Sequence, residues 1–202
     1  HSITKIKYQN VIKRMLSLGF KPLSSQDTYL LRINNEFITQ EGTVVQSNIR
    51  TELEGMGDIQ KYCNTNELVS RETGNLDMSV DFVQKRYKKS QDGSSIYSVD
   101  NKDFNFRATL STESSFPSSS GIVKDVLRNW NESKKIFRYM NRVRLTHPDY
   151  PVFVDCSIVK SSKRKGYKMI PEYTIQESNL FGNPEGYEIE IEMDNSKKNM
   201  DD

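Results

Sequence analysis

The segment Tyr187-Glu188-Ile189-Glu190-Ile191-Glu192-Met193 alternates apolar and acidic residues without a break. In an extended strand, side chains two apart share a face. Glu188, Glu190 and Glu192 then form one carboxylate column, with neighbours about 7 Å apart. Tyr187, Ile189, Ile191 and Met193 form the opposite, apolar face. In bulk water two charges at that spacing repel by only about 0.6 kcal/mol, but in a drier enclosure the column needs cations. The pattern calls for a sheet with one apolar face. Its other face looks either at water or into a charged interior.

The 202 residues suffice for one domain with a sizeable core, so residues 1–202 read as a single unit. His1-Ser2 reads as a tag remnant and Asp194 to Asp202 as a polar tail. Charged residues make up 28% of the chain, and no run approaches membrane-spanning length, so no membrane partner is expected. The formal net charge of +2 demands no nucleic acid; only the distribution of charge can argue for one. Cys63 and Cys156 lack metal-ligand spacing and read as free thiols.

Apolar residues at helical spacing predict a helix over Thr4 to Leu18 and another from Ile122 to Trp130, with a short helix at Asp58 to Cys63. Strand patterns cover Tyr29 to Ile33, Ser47 to Leu53, Val80 to Tyr87, Phe104 to Leu110, Phe137 to Thr146, Val152 to Lys160, Glu172 to Glu177 and Tyr187 to Met193. Ser111 to Ser120 reads as a loop and Lys160 to Lys168 as a basic, mobile link. The balance is mainly antiparallel β (α+β) with a few flanking helices.

The polar faces of these strands are charged in a segregated way. Arg32 lies between Leu31 and Ile33; Arg50 and Glu52 alternate with Ile49, Thr51 and Leu53. Arg107 alternates with Phe106 and Ala108; Arg138, Arg142 and Arg144 share a face opposite Phe137, Tyr139, Val143 and Leu145. Asp155 and Ser157 alternate with Val154, Cys156 and Ile158. An ordinary sheet with one wet face is one reading. Arginine recurring on strand after strand, with glutamate concentrated on one, suits instead a tunnel-like barrel with a charged lumen and its apolar face under helices. Such a lumen would hold a polyanion against one wall and a hard divalent cation against the other.

Three segments carry a resemblance. Lys135-Ile136-Phe137-Arg138-Tyr139-Met140-Asn141-Arg142, then Val154-Asp155-Cys156-Ser157 through Lys160-Ser161-Ser162, then Tyr187 to Glu192, together resemble the RNA 5′-triphosphatase domain of mRNA capping enzymes from large DNA viruses, within the triphosphate tunnel metalloenzymes. The resemblance implies removal of the γ-phosphate from 5′-triphosphate RNA, with Mn²⁺ or Mg²⁺ as cofactor. It implies that Glu188, Glu190 and Glu192 are metal ligands and, with Asp155, the catalytic set. Arg138, Arg142, Arg107 and Lys85 match its phosphate-facing cations, and Arg50, Arg32, Arg144 and Lys160 complete the candidate substrate-binding set. It also implies a capping guanylyltransferase domain as partner in the same polypeptide, and an intracellular place in a virion or viral factory.

Two departures stand out. Met140 occupies a position where relatives place a lysine between the arginines. The family's first metal-binding strand, a Glu-x-Glu that precedes the first helix, has no counterpart here. Glu52-Leu53-Glu54 has that spelling but follows the helix and runs into Gly55-Met56-Gly57, so it reads as a decoy and the barrel as lacking its first strand. A non-catalytic polyphosphate- or RNA-end-binding module and a purely structural barrel are the alternatives.

Overall fold

A computed structural model describes residues 3–23, 29–103 and 105–194. Helix α1 (Lys5–Ser17) begins at Thr4, whose hydroxyl accepts the Lys7 N–H at 3.3 Å, and Gly19, at a φ of +94°, turns the chain after it. Strand β1 (Lys21–Pro22) is a two-residue pairing, and β2 (Tyr29–Ile38) and β3 (Val44–Glu54) form a long hairpin. Helix α2 (Met56–Thr65) leads to β4 (Val80–Tyr87). Strands β5 (Val99–Asn101) and β6 (Phe106–Ala108) pair only with each other, and β7 (Ser111–Phe116) returns to β4. Helix α3 (Gly121–Arg128) precedes the longest strand, β8 (Lys135–Thr146), and its partner β9 (Val152–Ser161). A small hairpin of β10 (Arg164–Lys165) and β11 (Lys168–Met169) comes next, and β12 (Gly186–Met193) closes the order.

The main sheet is antiparallel throughout, in the order β12-β9-β8-β2-β3-β4-β7, with β1 added at the end of β8. It curls strongly into a half-barrel; among the described residues its outermost strands, β12 and β7, do not pair with each other. The outer face is apolar and lies under the helices, while the opposite face, otherwise charged, holds one small buried apolar cluster of Leu30, Met140 and Val159. Leu31, Ile33, Leu53, Phe82 and Phe137 pack under Ile59 and Tyr62 of α2, Val123 of α3, and Trp130. Leu145, Val154 and Cys156 pack under Tyr8 of α1. Lys135 is also on this face and only 1% exposed. Its ammonium donates to the carbonyls of Ser133 at 2.7 Å and Tyr173 at 3.3 Å, and lies 5.1 Å from the Trp130 ring centroid.

Several expected elements differ. Ser111 to Ser120 is not all loop: its first six residues form edge strand β7, which needs only Phe116 in the core and can otherwise be polar. Glu172 to Glu177 is not a strand. Thr174 and Glu177 cap each other, Thr174 N–H to Glu177 Oε2 at 3.1 Å and Glu177 N–H to Thr174 Oγ1 at 3.2 Å, which turns the chain. The Phe104 to Leu110 pattern shrinks to Phe106–Ala108 because Asn105 adopts a φ of +55°; Phe104 itself lies outside the described residues, as do 195–202 of the expected tail. The basic link is the ordered β10–β11 hairpin.

Candidate functional site

Strand parity fixes which side chains enter the half-barrel, and register then lines them up. Glu190 stands opposite Asp155 and Asp155 opposite Arg144; Glu188 stands opposite Ser157 and Ser157 opposite Arg142. Arg138 stands opposite Arg32, and Arg32 opposite Glu52. Arg50 of β3, Lys85 of β4 and Glu113 of β7 carry the same face to the far edge. The sheet thus gathers Glu188, Glu190, Glu192, Asp155, Arg138, Arg142, Arg144, Arg32, Arg50 and Lys85 on one surface.

Curling makes side chains separated by whole strands meet. Arg138 reaches across β9 to Glu188, and Arg144 reaches across it to Glu192 at 2.8 Å. Arg50 crosses β4 to Glu113 at 3.0 Å and also holds Glu52 at 2.5 Å. Lys85 lies 3.8 Å from Glu113. Arg32 donates to Glu52 at 2.8 Å, and its Nη1 rests 4.0 Å from the Met140 sulfur. Met140 is therefore packing beneath a guanidinium where a lysine would have added another cation. Asp155, 1% exposed, takes both donors of Arg144 at 2.6 and 2.5 Å and has Arg142 3.8 Å away.

The centre of the face is an electrostatic conflict. Arg32 and Arg138 are direct cross-strand neighbours, an arrangement that destabilises a sheet unless anions answer it. Burial pulls the Arg32 guanidinium below its ordinary value; Glu52 opposes that, Arg50 and Arg138 add to it, and Glu190 opposes it from across β8 and β9. The Arg138 Nε is buried and has no hydrogen-bond partner among the described residues. Arg50 is also desolvated, yet Glu52 and Glu113 hold it above its ordinary value.

Two expected site residues are elsewhere. Arg107 lies in the β5–β6 hairpin, exposed and paired with Asp100 at 2.7 Å, because the left-handed Asn105 takes this stretch out of the main sheet. Lys160 stands opposite Tyr139 on the outer face and donates to the Phe181 carbonyl at 2.6 Å; it is an odd number of residues from Asp155, so the two cannot share a face. Glu52, set aside as part of a decoy metal-binding Glu-x-Glu, belongs to the charged face in a different role, as a counter-ion. It enters the half-barrel and holds two arginines, whereas Glu54 is exposed at the end of β3. Its shared parity with Arg50 was the available signal. Glu113 gave none, since it sits in a Ser-rich stretch.

The three β12 glutamates supply hard carboxylate oxygens on one face, a donor set suited to Mg²⁺ or Mn²⁺. Glu190 makes no hydrogen bond or ion pair among the described residues, while Glu188 and Glu192 are engaged by Arg138 and Arg144. No group of three or more His, Cys, Asp or Glu side chains is drawn together in a metal-holding arrangement among the described residues. No protein-family model, curated protein or solved structure matches the chain.

Proposed function

We infer that the inner face of the half-barrel receives the 5′-triphosphate end of RNA, and that the chain belongs to a metal-dependent RNA 5′-triphosphatase acting at the first step of mRNA capping. The carrying observation is the opposed pair Arg32 and Arg138, set among Arg50, Arg142 and Arg144 on a surface walled by curled strands. Guanidinium forks match phosphate oxygens in geometry and charge. In this reading Arg32 and Arg138 grip the β- and γ-phosphates, Arg50 and Lys85 extend the cationic wall, and Asp155 holds Arg142 and Arg144 in place. Glu188, Glu190 and Glu192 are the residues that would hold Mg²⁺ or Mn²⁺, which when bound supplies charge neutralisation at the phosphates and an activated water. A strand closing the gap between β12 and β7 would turn the half-barrel into a tunnel, and a guanylyltransferase domain would be the partner in capping.

The test is phosphate release from triphosphate-ended RNA with Mn²⁺, before and after chelation, and again with Glu190→Gln. Release that is abolished by chelation and lowered by at least a hundredfold in the variant is expected. Equal release from the variant overturns the assignment of Glu190. A second reading, a binding module without turnover, draws on the engagement of Glu188 and Glu192 by arginine. Metal-independent binding of tripolyphosphate with no phosphate release would select it.

A further inference from the structure

The β10–β11 hairpin leaves the sheet beside the proposed phosphate-binding centre. Ser161, the last residue of β9, stands opposite Arg138, and Arg164 follows three residues later, within about 10 Å of chain. The hairpin is anchored: Ser162 N–H donates to the Phe137 carbonyl at 2.9 Å, Lys163 N–H to Ser178 at 3.0 Å, and Ile170 N–H to Lys163 at 2.9 Å. Lys163 itself is paired with Glu172 at 2.7 Å. The other three cations, Arg164, Lys165 and Lys168, are exposed and have no ion pair among the described residues. Lys165 and Lys168 moreover stand directly opposite each other, a like-charge pair that weakens so short a hairpin. Gly166, at a φ of +63°, makes the tight turn, and it presents Tyr167 fully exposed at the tip. An aromatic ring held out in water among uncompensated cations has the composition of a single-strand nucleic-acid contact: a stacking platform with phosphate partners on either side.

We propose that this hairpin binds the single-stranded RNA that follows the 5′ triphosphate, with Tyr167 stacked on a base and Arg164, Lys165 and Lys168 on backbone phosphates. The proposal rests on the RNA reading of the inner face and adds a second site to it. The test compares the whole chain with Tyr167→Ala and with the triple variant Arg164→Gln, Lys165→Gln, Lys168→Gln. Three probes are titrated: tripolyphosphate, a twelve-nucleotide single-stranded RNA with a 5′ hydroxyl, and the same RNA with a 5′ triphosphate. Tyr167→Ala is expected to weaken both RNAs about tenfold. The triple variant is expected to make the slope of log affinity against log salt shallower by about 2. Neither should change tripolyphosphate affinity or the thermal midpoint. RNA affinity unchanged in both variants overturns the proposal, and so does an equal loss on tripolyphosphate. If the hydroxyl-ended RNA depends on the hairpin while the wild type ignores tripolyphosphate, the hairpin site stands and the triphosphate reading of the inner face falls.

Discussion

Arg144 and Asp155 meet across β8 and β9 in a two-point pair, Nε at 2.6 Å and Nη2 at 2.5 Å, with the carboxylate almost wholly out of water. Burying a carboxylate this way is stable only because two arginines answer it. Asp155→Ala is therefore expected to cost about 3–5 kcal/mol in urea unfolding, since it removes the carboxylate beside Arg142 and leaves Arg144 with only the more exposed Glu192. The double change Arg144→Met, Asp155→Leu should be milder than Asp155→Ala alone. A double variant as destabilised as the single one would mean that the stranded-charge argument is wrong.

Glu52 is the internal counter-ion of both Arg32 and Arg50. Any anion that docks there has to displace it. Glu52→Gln is expected to lower stability by about 1–3 kcal/mol and yet raise tripolyphosphate affinity about tenfold, whereas Arg32→Ala should lower that affinity by a similar factor. Calorimetry at low salt measures both. Weaker binding in Glu52→Gln would show that the carboxylate positions the arginines more than it competes for them.

Burial pushes Lys135 down to about 8 from an ordinary 10.5. The unfolded chain therefore binds more protons than the folded one between about pH 8 and 10.5, so this residue makes stability rise with pH across that window. The thiols and buried phenols act oppositely: Cys156 is pushed up to about 11 and Tyr8 to about 12, chiefly by desolvation, so each removes stability as pH climbs past its unfolded value. The informative quantity is the difference between wild type and Lys135→Met. That difference should shift in favour of wild type from pH 8 to 10; a pH-independent difference would rule out a depressed Lys135.

Cys63 and Cys156 are free, and desolvation raises both thiols. Neither is a reactive thiolate at neutral pH. Alkylation at pH 7.5 should leave Cys156 unmodified in the folded protein and label it within minutes in urea, with mass spectrometry locating the adduct. Rapid native labelling of Cys156 would contradict its packing against Tyr8 and Leu145.

Strand parity was the legible part of this chain. A period of two needs no partner to be recognised, so the faces of β2, β3, β8, β9 and β12 follow from sequence, including the entry of Arg138, Arg142 and Glu190 into one surface. Applied strictly, the same rule excludes Lys160. What local pattern does not carry is which strands are neighbours: the pairing of Arg50 with Glu113 joins residues 63 apart through the β4–β7 contact. It also does not carry a single left-handed residue such as Asn105, which moves Arg107 into another hairpin. The Thr174–Glu177 capping box was written in the sequence but obscured by β-compatible neighbours. Alanine at Lys160 or Arg107 should consequently leave tripolyphosphate affinity within about twofold, as expected for exposed or outward groups.

Phe137 and Arg138 are adjacent in the chain, yet one is sealed beneath the helices and the other enters the half-barrel. The same division recurs along β2, β3 and β9. Folding instructions and chemistry are thus written on alternate letters of the same strands. The division is not complete, because Leu30, Met140 and Val159 form a small buried cluster on the charged face and Asp155 and Glu52 each neutralise arginines there, so a change of ligand on that face also draws on the stability of the sheet.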